Sequence, residues 1–182
     1  MQSRLLALAA PLAAAAALAA PTVAQAAADG CSTGAVAQAG AYKVALVIGP
    51  RQEMYTAEEV RTRKLKTGQV MLGGAMAMIE NVPAGMRIYD LQVYVCTKGG
   101  AVVTQLKPTI TIAAPGRRLT KVPVAIMAAV GKGFSDYHYG NDVLLKPGAK
   151  VTVTVALKGS RAVFHAVVPR SGSSAHAGMD MG

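Results

Sequence analysis

The densest collection of chemically useful side chains lies between Phe134 and Leu145, FSDYHYGNDVLL. Ser135, Asp136 and His138 stand close enough together to raise a hydrolytic reading. That reading is poorly supported. No nucleophile elbow surrounds Ser135, no base–orienter pair is evident, and neighbours on one loop rarely build a triad. Gly131-Lys132-Gly133-Phe134-Ser135 lacks the spacing of a phosphate loop and opens no helix. Paired carboxylates suited to glycoside chemistry form no recognisable cluster. The chain is therefore expected not to be an enzyme.

Metal chemistry is better supplied. The sequence has nine methionines, and eight remain once the leader that carries Met1 is set aside. Met71, Met76 and Met78 share one apolar segment, and Met127 lies in the segment that leads to His138. Thioether sulfur is a soft ligand suited to Cu(I), and imidazole accepts copper, zinc or iron. A Met/His site here would therefore favour copper. The competing reading is that methionines fill a core with two phenylalanines and no tryptophan. A blue-copper centre is not supported, because Cys96 has no histidine beside it. His176, Met179 and Met181 near the C-terminus offer a second, looser Met/His set.

Strands must hold these ligands. Tyr42 to Gly49 reads as the first, closed by Gly49-Pro50. Residues 51–67 are strongly charged. Thr56 with Glu59 has the pattern of a capping box, but Val60-Arg61-Thr62-Arg63 then alternates, so a loop with at most one helical turn is expected. Gln69 to Ile79 reads as a strand broken by Gly73-Gly74, where a bulge could bring Met71 onto the face shared by Met76 and Met78. Met86 to Cys96 is the clearest central strand, with Tyr89, Leu91, Val93 and Val95 on one face and Asp90, Gln92 and Tyr94 on the other. Ala101–Leu106, Pro108–Ala113 and Leu119–Ala129 follow, with Pro123 marking an edge or bulge. Gly140-Asn141 reads as a turn that delivers His138. With Gly159-Ser160 as a two-residue loop, the last hairpin pairs Leu157 with Ala162, Val155 with Phe164, Val153 with Ala166 and Val151 with Val168. His165 then faces Thr154 on the polar side, as an ordinary surface histidine. Seven to nine short strands predict an all-β fold, an antiparallel immunoglobulin-like β-sandwich over residues 41–168.

Residues 1–28 have the charged start, short apolar run and small-residue exit of a secretory signal peptide. The chain is expected to be periplasmic or secreted, with no transmembrane segment after signal removal. About 155 residues then remain, enough for one domain and one core. Residues 29–40 read as a flexible arm and 169–182 as a disordered tail. Losing Arg4 lowers the net charge from +10 to +9. The basic residues are spread out and aromatics are few, which argues against nucleic acid as a partner. The densest basic run, Arg61, Arg63, Lys64 and Lys66, is either a solvated edge or a contact for an acidic membrane surface or partner. It carries the alternative function, a metal-free β-sandwich module that binds a protein or cell-envelope partner. In an oxidising compartment Cys31 and Cys96 are expected to form a disulfide. Two free thiols are the alternative, although no C-x-x-C spacing supports a metal site there.

The stretch Asp136-Tyr137-His138-Tyr139-Gly140-Asn141-Asp142-Val143-Leu144-Leu145-Lys146-Pro147-Gly148, followed by a Val/Thr hairpin, resembles the periplasmic ferrous-iron-transport-associated family. Resemblance implies a small exported immunoglobulin-like homodimer with a copper site, a role in iron uptake and an inner-membrane transporter as partner. The family's His-Tyr-Gly-Asn hallmark matches His138 to Asn141, and its methionine ligand matches Met127 at a longer spacing. Where the family has a His-x-Glu pair on an early strand, this chain has Met71 and Gly73. A further family histidine, in an extended last hairpin, has no counterpart in Lys158-Gly159-Ser160-Arg161. The resemblance thus implies a metal site either rebuilt with methionines or lost; if it is rebuilt, His138 and Met127 are the expected primary ligands, Met71 the third, and a copper or iron ion the cofactor.

Overall fold

The computed structural model describes residues 29–170. The expected leader, residues 1–28, and the tail from residue 171 onward, with His176, Met179 and Met181, lie outside the described residues. In chain order the elements are β1 (Ala35–Ala39), β2 (Tyr42–Pro50), β3 (Met54–Thr56), α1 (Ala57–Arg63), β4 (Gln69–Gly74), β5 (Arg87–Thr97), β6 (Thr109–Ala113), β7 (Thr120–Val122), β8 (Ala125–Ala129), β9 (His138–Leu145), β10 (Lys150–Leu157) and β11 (Ser160–Val167). They form an all-β sandwich. One sheet runs β1-β2-β5-β9-β8-β4-β3 and the other β11-β10-β6-β7. Every pairing is antiparallel except β3 with β4.

The apolar alternation of β5 selects its inner face. Tyr89, Leu91, Val93 and Val95 are fully buried and pack with Val44, Leu46, Tyr139 and Val143 of the same sheet. Ile110, Ile112, Val153, Val155 and Phe164 meet them from the smaller sheet. Burying each such side chain stabilises the fold by about 1.5–3 kcal/mol. A one-residue slip in any of these strands would turn that row outward, so the registers are strongly specified.

Several expectations change. Residues 29–40 are not a flexible arm: a 3-10 turn (Asp29–Ser32) is followed by β1, which pairs along β2. Cys31 is bonded to Cys96, which removes the free-thiol alternative. The capping box forms, with Thr56 Oγ1 accepting from Glu59 N and Glu59 Oε2 accepting from Thr56 N, but it starts a seven-residue helix rather than a single turn. Strand β4 stops at Gly74, after a bulge between Met71 and Gly73. The Ala101–Leu106 strand reduces to one bridge between Cys96 and Val102. Leu119–Ala129 is two strands, because the chain leaves one sheet and enters the other at Pro123. Gly140-Asn141 is no turn, and lies within β9.

The last hairpin keeps its faces but not its partners. Val155 pairs with Ala162, Val153 with Phe164 and Val151 with Ala166. The loop is Lys158-Gly159 rather than Gly159-Ser160, because Gly159 adopts φ +76°, which a turn position requires and a side chain resists. The displacement is an even number of residues, so Val151, Val153, Val155, Leu157, Ala162 and Phe164 still point inward. His165 is exposed as expected, opposite Thr152 rather than Thr154.

The larger sheet is strongly curled. Pro50 ends β2 and Met54 begins β3, and four residue steps span at most about 14 Å. In a flat sheet β2 and β3, five strand spacings apart, would be about 24 Å apart. The connection is possible only if β4 and β3 fold back over the face of β5 and β9 that turns away from the apolar core. That face becomes the lining of a second, polar interior.

Candidate metal centre

Three adjacent strands place the expected ligands side by side. Met71 of β4 is the register partner of Met127 of β8, and Met127 is the partner of His138 of β9. Directly paired positions bring Cβ atoms to about 4.5–5.5 Å. Met127 and His138 are fully buried, whereas Met71 is half-buried and forms the outer end of the row. The other methionines of the apolar segment do not join it. Met76 and Met78 follow the end of β4 and are exposed. The bulge leaves Leu72 unpaired and exposed, and Met71 keeps its place beside Met127.

His138 is held as a neutral imidazole. Its Nδ1 lies 2.7 Å from the carbonyl oxygen of Asp136. A carbonyl only accepts, so Nδ1 carries the proton and donates it. Nε2 is therefore the lone-pair nitrogen, and it is buried with no partner. Burial lowers the imidazole pKa below its ordinary value, against the opposing pull of Asp136, so the ring is neutral at pH 7. A backbone carbonyl on one ring nitrogen and an open lone pair on the other is the posture of a metal-ligating histidine.

A hydrogen-bonded frame stiffens this position. Asp136 Oδ2 accepts from Ala129 N at 2.7 Å, which ties the residue to the end of β8. Tyr94 Oη lies 2.9 Å from Asp136 Oδ1 and 3.0 Å from Gln92 Oε1. Its ring rests against the imidazole, with centroids 5.2 Å apart and planes tilted by 47°. Burial and the nearby Asp136 carboxylate hold the Tyr94 phenol protonated as a donor. Behind the ring sits Gly30, where a Cβ would fall on the Tyr94 ring itself. The Cys31–Cys96 disulfide clamps this turn in place.

The rest of the polar interior was not singled out from the sequence. Gln69 of β4 donates to Asp90 Oδ2 at 2.5 Å, and Gln92 donates to the same oxygen at 2.7 Å. Asp90 and Asp142 are direct cross-strand partners, both buried. Burial raises the Asp90 carboxyl to about 6, offset in part by the Gln92 and Gln69 amides. Asp142 is also raised by burial, with Arg51 pulling the other way from an Nε–Oδ2 contact of 2.8 Å. Gln69 Oε1 and Asp142 Oδ1, like His138 Nε2, are buried without a partner. The alternation Asp90, Gln92, Tyr94 did mark one polar face of β5. Only the curl of the sheet turns that face into an interior.

Other expected residues take different roles. Ser135 is exposed and donates to the Lys132 carbonyl at 2.8 Å, away from the buried His138 lone pair. Tyr137 and Tyr139 belong to the apolar core, stacked edge to face at 5.4 Å, and anchor the 103–106 segment through the carbonyls of Thr104 and Val103. Asn141 ties the segment after β4, donating to Ala75 O and accepting from Ala77 N. Arg61 pairs with Glu58, and Arg63 lies over the Tyr55 ring at 5.4 Å.

Among the described residues no three histidine, cysteine, aspartate or glutamate groups converge as a metal-binding set, so any centre here depends on thioether sulfur. No described helix is long and apolar enough to cross a membrane. Comparison with family models, curated proteins and solved structures finds no match.

Proposed function

We propose that this chain is an exported, non-catalytic protein that binds copper, as Cu(I), for metal uptake or handling. The observation that carries the reading is the register row Met71–Met127–His138, in which a buried imidazole with an unpartnered Nε2 stands beside a buried thioether. Two soft sulfurs and one neutral nitrogen form a donor set that fits Cu(I) better than iron, which favours oxygen and nitrogen ligands. The half-buried Met71 gives the row its contact with solvent. Bound copper would supply ligand exchange or electron transfer, while the chain supplies the ligands, their orientation and a dry surround. The resemblance of His138-Tyr139-Gly140-Asn141 to an iron-uptake family supports a role in metal handling.

The test is anaerobic Cu(I) competition against a chromophoric chelator. Wild type and a chain ending at Arg170 should each take up one equivalent, and the His138→Ala/Met127→Ala pair should lose affinity by more than about a hundredfold. Equal uptake by wild type and the double variant would sink the proposal.

A second reading, a metal-free module that docks a protein or cell-envelope partner through Arg61 to Lys66, draws on one feature. Lys64 and Lys66 are exposed at the helix end. The engagement of Arg61 by Glu58 and of Arg63 by Tyr55 weakens it. Retention of a partner that Arg61 and Lys64 charge reversals abolish, in a protein with no metal content, would favour it over the first.

A further inference from the structure

The sandwich is open along one side. Between β7, the β9–β10 connection and the segment that follows β4 runs a groove of about 780 Å³. Its floor is Ile112, Val122, Val143, Leu145 and Val151, residues from the inner faces of both sheets. They are 2–7% exposed, so the floor is recessed rather than flush with the surface. The opening arises because the chain abandons the smaller sheet at Pro123 after a three-residue strand, leaving nothing of that sheet to cover the core beyond β7.

Charge is distributed with one sign around this floor. Arg117, Arg118, Lys121, Lys146 and Lys150 line the groove, and each is exposed. Among the described residues none of the five forms an ion pair with a carboxylate. The one acid that lines the groove, Asp142, is buried and already engaged by Arg51.

We propose that this groove binds a single-chain amphiphile with an anionic head, a fatty-acid-like carboxylate. A recessed apolar floor takes an extended alkyl chain, whereas a flat bilayer cannot reach it. The volume lies within the range of small-molecule sites. The cationic rim fixes which end of the chain faces out, and a charge-assisted contact at the mouth favours a carboxylate over a neutral head. Neither feature would be selective alone: exposed cations contribute little by themselves, and an apolar slot takes any alkyl chain.

The test is fluorescence titration of the chain with cis-parinaric acid and with its methyl ester. The acid should bind saturably at one site, and the ester about tenfold more weakly. A Lys146→Glu/Lys150→Glu variant should weaken the acid by about tenfold and leave the ester unchanged. Ala114→Trp, which fills the groove from a half-buried position, should abolish both signals while the far-ultraviolet spectrum is retained. Equal binding of acid and ester, indifference of the acid to the charge reversals, or no saturable signal would each overturn the proposal.

Discussion

Gln69 Nε2 lies 2.5 Å from Asp90 Oδ2, although β8 and β9 separate their two strands in the sheet. In a flat sheet β4 and β5 would be about 14 Å apart, beyond the reach of these side chains. The hydrogen bond therefore records the curl that builds the polar interior. Replacing Gln69 by Ala should cost about 1–3 kcal/mol, because it removes one of two amide donors from a buried carboxyl. Gln69→Glu should cost more at neutral pH, since it sets two acids against each other in a buried site. Urea unfolding of both variants at pH 7 and pH 5 checks this, with the Glu variant recovering part of its loss at the lower pH.

Asp90 gives the fold a pH dependence of definite sign. Its carboxyl is raised from an ordinary 3.8 to about 6 in the folded state, mainly by burial. The folded chain thus holds that proton more tightly than the unfolded chain. Its contribution is complete at low pH and is lost as pH rises towards and through about 6. Asp90→Asn, which stays neutral and can still accept from Gln69 and Gln92, should not lose it. The variant should gain on wild type by about 2 kcal/mol between pH 4.5 and pH 7.5. Denaturation midpoints that run parallel across this range would show that Asp90 is ionised throughout.

How far the sequence was legible follows from what each signal measures. Period-two alternation reports which face is apolar, so the inner row of β5 and both faces of the last hairpin were readable. It says nothing about a displacement of two residues, which depended on Gly159 sitting in the turn. Nor does it report what covers the opposite face, so Asp90, Gln92 and Tyr94 were legible as a second face of the strand but not as the lining of an interior. Met71, Met127 and His138 were identifiable as donor types from their chemistry, and as a set through the resemblance around His138. That they stand in one row depends on two strand registers and a bulge, which are long-range properties.

Tyr94 ties the frame to His138. Tyr94→Phe keeps the ring against His138 and Gly30 and removes the hydroxyl from Asp136 and Gln92. The loss of stability should be about 1–2 kcal/mol. Because Asp136 orients His138 through its backbone carbonyl, Cu(I) affinity should also fall by about tenfold. Competition titration on the folded variant separates the two effects. Unchanged affinity would mean that Ala129 N holds Asp136 without help from the phenol.

Cys31 and Cys96 are 65 residues apart, so their bond closes a long loop of the unfolded chain. Chain-entropy reasoning puts its contribution at about 4 kcal/mol. Reduction, or the Cys31→Ser/Cys96→Ser pair, should lower stability by about that amount and release the turn that presses Gly30 against Tyr94. Tyrosine quenching by acrylamide should then rise before global unfolding. A rise that coincides with unfolding would show that β1 pairing with β2 holds the turn unaided.

Met127 distinguishes ligand from core filler. It is fully buried, so Met127→Ala both deletes a thioether and opens a cavity, at a cost of about 2–5 kcal/mol. Met127→Leu keeps nearly the same volume and should cost less than about 1.5 kcal/mol. If the residue only fills space, the Leu variant should resemble wild type in every assay. If its sulfur is a ligand in the row with Met71 and His138, the Leu variant should fold normally and bind Cu(I) at least about tenfold more weakly. Chelator competition and urea unfolding on the same preparation give both quantities, and the ratio between them assigns the role.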